Sequence, residues 1–302
     1  MSKEKVKAHE KDYGNAIVNE FKTSLWERRR AESTIDNYCR VAGSFIKYAH
    51  INTKEGITLL TKSVVRNFVD CLINVSYEDG KKYTVESVNN KIAGLNQLLA
   101  FYGLEEMKEK ALYCHRKTFI EDDEILTDED VRLLLSESRK ENEVLYYALE
   151  SMSQMGLRVS EVQFITVESL NRGFIVVLNK GGARKVPLPP DLIKELRAYC
   201  EENGITSGPI IYVRKGIAIS RSTIGKLMKK LAEKLKIDTK KAHPHSLRHN
   251  FAIRYLKIYG QCALSKLADI LGHRSIETTR VYLRDTLSNV AKSLTAKSLK
   301  IK

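Results

Sequence analysis

The sequence lacks the features of a membrane or secreted protein. No stretch approaches the ~18 consecutive apolar residues that a transmembrane helix needs. Residues 1–11 mix charges of both signs and contain no apolar segment like that of a secretory signal. The 5 cysteines never form a Cys-x-x-Cys pair, which argues against a disulfide framework and a zinc site. We therefore expect a cytoplasmic protein with free thiols and no membrane partner.

The sequence also lacks internal repeats, low-complexity tracts and enough acidic residues to balance its basic ones. Its length of 302 residues is sufficient for two domains with separate cores. Lys and Arg number 51 against 37 Asp and Glu, which gives a formal charge of +14. A basic protein without such a partner would also show a surplus, but the size of this surplus favours a polyanionic partner. With no membrane signal present, we expect that partner to be DNA or RNA.

The first third of the chain has helical periodicity without strand signals. Apolar residues recur at steps of three or four in four segments. The four segments span about residues 12–30, Ser33 to Tyr48, 62–75 and 85–101. Ser33-x-x-Asp36 resembles a capping box at the start of the second helix, and Gly103 is placed to end the fourth. We expect a compact helical domain over residues 1–107.

Charge replaces apolar periodicity between residues 108 and 124, where we place an interdomain linker. Thr127-x-x-Asp130 then predicts a capped helix. Further on, β-branched residues flank Lys180-Gly181-Gly182-Ala183, which predicts a hairpin whose second strand ends near Pro187. The remainder is helical in period except for a short run at 210–212. The fold class predicted is mostly α with a small antiparallel β-sheet: a helical domain followed by a mixed α+β domain over residues 125–302.

The clearest chemical signal is His245-Ser-Leu-Arg248-His249 near the carboxyl end. Pro244 suits a helix start, so His245 and Arg248 share one face of the helix that follows. A guanidinium fork fits two phosphate oxygens, and an imidazole with a pKa near neutral can take or give a proton. The histidines at 243, 245 and 249 are spaced by two and then four residues, which does not suit one helix face. No carboxylate or Cys lies nearby, so no metal site is predicted. We interpret His249 as a packing residue.

Two further motifs follow in the chain. Gly272 is placed to end a helix over Leu264–Leu271, which would fix the imidazole of His273. Tyr282 lies nine residues beyond. A phenol with a pKa near 10 is a poor nucleophile unless the phosphate it attacks has been neutralised. Either residue alone would be interpreted as structural.

Two upstream residues complete the pattern. Arg158 follows a glycine turn at Gly156, and Glu161 lies three residues further, where it can orient the guanidinium group. Lys180, at the tip of the predicted hairpin, can reach into a groove and protonate a leaving 5′-oxygen. The alternative interpretation of Lys180 is a solvated lysine in the turn, without a role in the chemistry.

In this order, Arg158, Lys180, His245, Arg248, His273 and Tyr282 resemble the active-site set of the tyrosine recombinases, the group of phage integrases, Xer recombinases and Cre. The resemblance runs from about Leu126 to Leu283. The first third resembles the family's core-binding domain by pattern only, and too few residues precede its first helix for a separate arm-site domain. Tyr282 is followed by Leu-Arg-Asp where relatives often have Thr-His, a departure from which we infer no loss of chemistry.

The resemblance implies a site-specific DNA recombinase that needs no metal, cofactor or ATP. Arg158, Arg248 and His273 would bind the scissile phosphate, and Tyr282 would attack it to form a 3′-phosphotyrosyl link. Lys180 would protonate the leaving 5′-oxygen, and His245 would assist proton transfer at the nucleophile. A Holliday junction would follow.

The implied partners are double-stranded DNA recombination sites and three further copies of the chain. In the family a C-terminal tail helix commonly docks on a neighbouring subunit. Here an apolar stripe at Leu287, Val290, Ala291 and Leu294 would form that helix, although packing on its own domain is an equal alternative. Accessory or directionality proteins, and the choice between integration, excision and resolution, stay open. So do two other functions: a type IB topoisomerase-like relaxing enzyme and a non-catalytic DNA-binding relative.

Overall fold

The computed structural model describes residues 15–74, 82–114, 125–179, 182–214, 217–273 and 275–283. The chain divides into two compact units, residues 1–116 and 117–302. Each unit has its own hydrophobic core. The fold is mostly helical with small antiparallel sheets, so the predicted fold class is confirmed. Within the described ranges, no helix combines the length and apolar character needed to cross a bilayer.

The first unit consists of helices in its described part. They are α1 (Ala16–Glu27), α2 (Glu32–Tyr48), α3 (Lys54–Thr58), α4 (Lys62–Asn74) and α5 (Val85–Phe101). The four predicted helices are all present. The sequence did not predict α3, because five residues are too few to show a periodicity. Gly103 follows the last helix with φ +75°, the conformation expected of a residue that ends a helix.

The core of this unit is apolar. Phe21, Phe45 and Leu95 are fully buried, and the ring of Phe45 lies 5.2 Å from that of Phe68 in an edge-on arrangement. Burial of each such side chain contributes about 1.5–3 kcal/mol. Burial of the apolar stripes predicted from the sequence therefore stabilises this unit.

Two asparagines on α5 bind the chain that follows it. Asn96 exchanges two hydrogen bonds with the backbone of Glu109, at 2.8 and 3.0 Å. Asn89 does the same with Leu112, at 2.7 and 3.0 Å. The start of the predicted linker is thus bound to the first unit, while residues 115–124 lie outside the described part of the chain.

One predicted capping box is wrong and the other is confirmed. Helix α2 begins before Ser33, and its N-cap is Ala31, which makes no capping side-chain bond. Asp36 pairs instead with Arg40, one turn further along the helix. At the second site the Thr127 hydroxyl accepts a bond from the amide of Asp130 (3.0 Å), and the Asp130 carboxylate accepts one from the Thr127 amide (2.8 Å).

The second unit packs helices around a buried central helix. Its helices are α6 (Asp128–Glu141), α7 (Glu143–Met155), α8 (Val167–Arg172), α9 (Pro190–Glu202), α10 (Arg221–Lys234), α11 (Pro244–Tyr259), α12 (Leu264–Leu271) and α13 (Ile276–Arg280). Short 3-10 helices occur at Val159–Phe164, Gln261–Ala263 and Val281–Leu283. Helix α7 is buried along most of its length and packs against α6 and α11.

Two hairpins complete the unit. Strands β1 (Phe174–Asn179) and β2 (Gly182–Pro187) pair antiparallel with Ile175 opposite Val186, which confirms the predicted hairpin. Gly182 and Ala183, predicted to lie in the turn, belong to β2. The second hairpin, β3 (Tyr212–Arg214) and β4 (Ile217–Ala218), was not predicted as a pair, because strands of this length carry little alternation.

Candidate active site

Arg158 is positioned by the turn that ends α7. Gly156 closes that helix with φ +63°, and a Cβ there would lie 2.4 Å from the ring of Phe251. Only glycine fits both the backbone and the space. Arg158 then caps the 3-10 helix Val159–Phe164, with its side chain 38% exposed. The glycine turn before this arginine lies where the sequence placed it.

Glu161 binds two arginines from inside the protein. Its side chain is only 4% exposed, and it accepts hydrogen bonds at 2.8 Å from both the backbone amide and Nη1 of Arg158. Arg184 on β2 donates two more, at 3.0 and 2.8 Å. Burial acts to raise the pKa of this carboxyl, but the bonds from Arg184 and Arg158 outweigh it, and the pKa is lowered. Sequence reasoning identified Glu161 and missed Arg184.

Arg248 lies in the first turns of α11 and is 1% exposed. Its guanidinium group donates to the carbonyls of Gly156 and Leu271, both at 2.7 Å. It also lies 3.9 Å from the Glu161 carboxylate, the same group that binds Arg158. Burial, followed by the charge of Arg158, lowers the pKa of Arg248 to about 10. Folding therefore brings the two predicted guanidinium groups together around one carboxylate.

His273 and Tyr282 lie beside Arg248. His273 Nε2 is 3.0 Å from Arg248 Nη2, and its Nδ1 is 2.8 Å from the Thr279 hydroxyl. Gly272 ends α12 with φ +65°, which fixes the imidazole as predicted. The buried ring of Tyr282 stacks on His273 with centroids 6.2 Å apart. Burial raises the pKa of Tyr282, while the charges of Arg248 and Arg158 oppose that rise.

A row of rings connects His245 to Tyr282. The exposed ring of His245 lies 4.5 Å from that of His249, which lies 5.1 Å from Tyr282, edge to face. Burial lowers the pKa of His249 to about 4, with a further contribution from His245. The pKa of His245 is also lowered, by the protein atoms around it and then by Arg248. His249 does pack, as interpreted, but it packs between two predicted site residues. Its spacing of four from His245 was the signal for this contact.

Two predicted features lie outside the described residues. Lys180 is one, although the strands on either side of it pair through Asn179 and Gly182. The apolar stripe from Leu287 to Leu294 is the other. In the part of the chain that is described, no cluster of His, Cys, Asp or Glu is arranged to hold a metal ion.

An open, positively charged cavity adjoins the cluster. It has a volume of about 970 Å³, and Arg158, Arg184, Lys185 and His273 contribute to its lining. Guanidinium groups can provide paired donors for the oxygens of a tetrahedral anion, and the ring of Tyr282 lies beside this cluster. The arrangement can bind and activate a phosphate group.

Comparison with known proteins identifies the class of enzyme. Residues 124–288 match the phage integrase family, and residues 18–106 match the phage integrase N-terminal SAM-like domain. The chain belongs to the phage integrase family of tyrosine recombinases, enzymes of site-specific recombination that cleave and rejoin DNA.

Individual relatives agree with this assignment. The chain is 26% identical to the tyrosine recombinase XerA of Pyrococcus furiosus over 294 residues, which cover 94% of this chain and 95% of the relative. Its fold is similar to that of a lambda integrase tetramer bound to a Holliday junction (TM-score 0.67, 18% identity, covering 95% of this chain and 79% of that one). It is also similar to the XerH recombinase in a post-cleavage complex with a palindromic difH substrate (TM-score 0.66, 16% identity, covering 97% and 93%).

Proposed function

We propose that this protein is a site-specific recombinase that cleaves and rejoins duplex DNA through a 3′-phosphotyrosyl link at Tyr282. One observation carries the proposal. The guanidinium groups of Arg158 and Arg248 meet at one buried carboxylate, and the Tyr282 ring stacks on the imidazole that Arg248 contacts. A phosphate oxygen, a nucleophile and two cations can thus share one small volume.

In the proposed cleavage step the Tyr282 oxygen forms a bond to phosphorus and the bond from phosphorus to the 5′-oxygen breaks. Arg158, Arg248 and His273 bind the nonbridging oxygens and stabilise the five-coordinate transition state. Because burial raises the pKa of Tyr282, the phenol needs a base as well as a neutralised phosphate. His245 assists removal of the phenolic proton, and the ring of His249 connects the two residues. Lys180 protonates the leaving 5′-oxygen.

Rejoining is the reverse reaction with a different strand. A 5′-hydroxyl from the partner duplex attacks the phosphotyrosyl bond and releases Tyr282, which gives a Holliday junction after the first exchange. The covalent link conserves the energy of the phosphodiester, so neither ATP nor a metal is needed. Lys and Arg contacts to phosphates predict binding that weakens steeply with salt.

Assembly into a tetramer on DNA is part of the same proposal, with the C-terminal tail as the connecting element. An apolar cavity of about 880 Å³ on the second unit supports it, since Pro190, Tyr255, Ile258 and Tyr259 all contribute to the lining. Ile258 and Tyr259 are 70% and 63% exposed, which makes this an unusual surface for a protein that acts alone.

Trapping on nicked suicide DNA tests the function. The chain is incubated with candidate attachment sites, and a covalent protein–DNA adduct is expected with one of them. Tyr282→Phe should abolish the adduct and leave DNA binding nearly intact, whereas the exposed-residue control Tyr113→Phe should keep both. An adduct formed by Tyr282→Phe contradicts the assignment. Relaxed circles from a single-site plasmid, without junctions from two sites, would indicate a relaxing enzyme instead.

The role of Lys180 has its own test. Lys180→Ala should slow cleavage of ordinary DNA, because the 5′-oxygen would leave without a proton. A substrate whose 5′ leaving group needs no protonation should restore much of the rate. If the rate is not restored, Lys180 is not the general acid.

A further inference from the structure

Arg184 is a largely buried arginine that the proposed reaction does not use. Its side chain is 13% exposed, and it makes a two-pronged pair with Glu161 at 3.0 and 2.8 Å. Bidentate pairs of this kind are among the stronger polar contacts in proteins, and they fix orientation as well as charge. Arg184 is therefore a built part of the site.

The position of Glu161 explains why such a partner is needed. Its carboxylate lies 2.8 Å from Arg158 Nη1 and 3.9 Å from Arg248 Nη1, the groups proposed to bind the scissile phosphate. A buried carboxylate with no other counter-ion would compete with that phosphate for both guanidinium groups. Arg184 binds both carboxylate oxygens and so supplies the counter-ion.

The slot that holds Arg184 is shaped by the glycine before His273. A Cβ at Gly272 would lie 2.6 Å from Arg184 Nη1 and 2.9 Å from its Cζ, so the guanidinium group fits only because that side chain is absent. The same glycine ends α12 with φ +65°. Arg184 thus contacts both the carboxylate that orients Arg158 and the turn that positions His273.

We propose that Arg184 is a positioning residue that neutralises Glu161, so that Arg158 and Arg248 keep their charge for the scissile phosphate. The inference rests on the proposed function in taking that phosphate as the ligand. It predicts that Arg184 matters only while Glu161 is charged.

A double-mutant cycle tests this dependence in single-turnover cleavage. Arg184→Met removes the charge at similar length and should slow adduct formation roughly 10- to 100-fold, whereas in a Glu161→Gln background the same change should cost less than about 3-fold. Arg197→Met is the control, since Arg197 bonds to Leu170 and Asn171 instead of the site. An equal loss in both backgrounds overturns the proposal.

A neutral substrate separates the role from plain stability. When a methylphosphonate replaces the scissile phosphate, less positive charge is required, so the defect of Arg184→Met should shrink at least several-fold. A defect caused by loosened structure would persist on this DNA. If Arg184→Met does not fold, Arg184→Lys and the Arg184→Met/Glu161→Gln double variant, in which no buried carboxylate is left without Arg184, supply the same comparison.

Binding of inorganic phosphate tests the inference without cleavage. We expect Arg184→Met to weaken phosphate binding about 10-fold, followed through the NMR signals of the His273 imidazole, and Glu161→Gln to restore most of it. Unchanged binding contradicts the inference even if wild-type protein forms the adduct. Conversely, this binding pattern in a protein that never forms an adduct contradicts only the proposed recombinase function.

Discussion

The two units bury different chemistry. In the described part of the first unit, Lys22 is the single charged residue with a buried side chain, and the core is otherwise aliphatic and aromatic. The second unit buries Glu161 and Arg248 at 3% and 1% exposure. Burying a charge costs several kcal/mol unless it is paired and hydrogen-bonded. The comparison shows where the fold accepts that cost, which is at the candidate site.

The charges in the second unit are also unbalanced. One carboxylate faces the guanidinium groups of Arg158, Arg184 and Arg248, so the cluster keeps a positive charge that a phosphate can neutralise. Pairs that only stabilise a fold have no need for this excess. It is the physical mark of an anion site. In the described part of the first unit, Lys62 and Arg66 also share one carboxylate, that of Glu109, but both cations are exposed, at 43% and 65%.

The largest expected effect is the loss of Arg248. Arg248→Ala should slow adduct formation about 10²- to 10³-fold, because the transition state loses a preorganised charged donor. It also leaves the carbonyls of Gly156 and Leu271 without their donor. Lys257→Ala, at an exposed position on the same helix, is the control. Single-turnover rates at saturating DNA within threefold of wild type would remove Arg248 from the site.

A cavity created by mutation in the core of the first unit should lower the free energy of unfolding and leave the cleavage rate nearly unchanged. Leu95→Ala should lower the free energy of unfolding by about 3 kcal/mol, since a fully buried leucine is truncated. Urea unfolding measures this, and the adduct rate at saturating DNA should stay within about twofold of wild type. A loss of adduct rate as large as that of Arg248→Ala would contradict the conclusion that the first unit stabilises the fold without taking part in the chemistry.

Two glycines test the turn that positions Arg158. Gly156 and Gly173 both end helices with positive φ, but only Gly156 has a side chain pressed against it. Gly173→Ala should cost about 1 kcal/mol from backbone strain alone. Gly156→Ala should cost about 2 kcal/mol and also slow cleavage. Equal costs in thermal unfolding, with normal cleavage by both, would contradict this account of the turn.

A smaller effect should appear as a pH dependence of stability. The pKa values of His249 and His273 are lowered from 6.5 to about 4, so the unfolded chain takes up protons more readily than the folded one. Stability from these residues is present above pH 6.5 and is lost as the pH falls towards 4. Melting temperatures of wild type and His249→Gln should converge over this range. A constant difference between them would exclude His249 as a contributor.

Secondary structure was predicted correctly where the pattern that indicates it lies within a single helix or hairpin. Helix α5 was predicted over residues 85–101 and is observed there, because a long apolar stripe lies between the Thr84 cap and Gly103. The hairpin β1–β2 is similar, since each strand is six residues long. The short α3 and β3–β4 were missed because they contain too few residues for a period.

Prediction of the site failed where the meaning of a residue depends on a distant one. Arg184 looks like an ordinary strand arginine until folding places it against Glu161, 23 positions earlier in the chain. His249 was interpreted as packing because its contact with Tyr282 joins two helical segments. The capping box predicted at Ser33 was wrong for a different reason. Such a motif caps a helix only if the helix begins directly after the serine, and α2 already begins at Glu32. The roles of the predicted site residues themselves stay predictions.

The most direct test is to find the covalent bond. Adduct trapped on suicide DNA would be digested, and the modified peptide located by mass spectrometry. We predict one phosphotyrosine at Tyr282, attached to a 3′ DNA end, with a free 5′-hydroxyl on the released strand. Attachment at another residue, or to a 5′ end, would contradict the central claim that the Arg158–Arg248 cluster activates a phosphate for Tyr282.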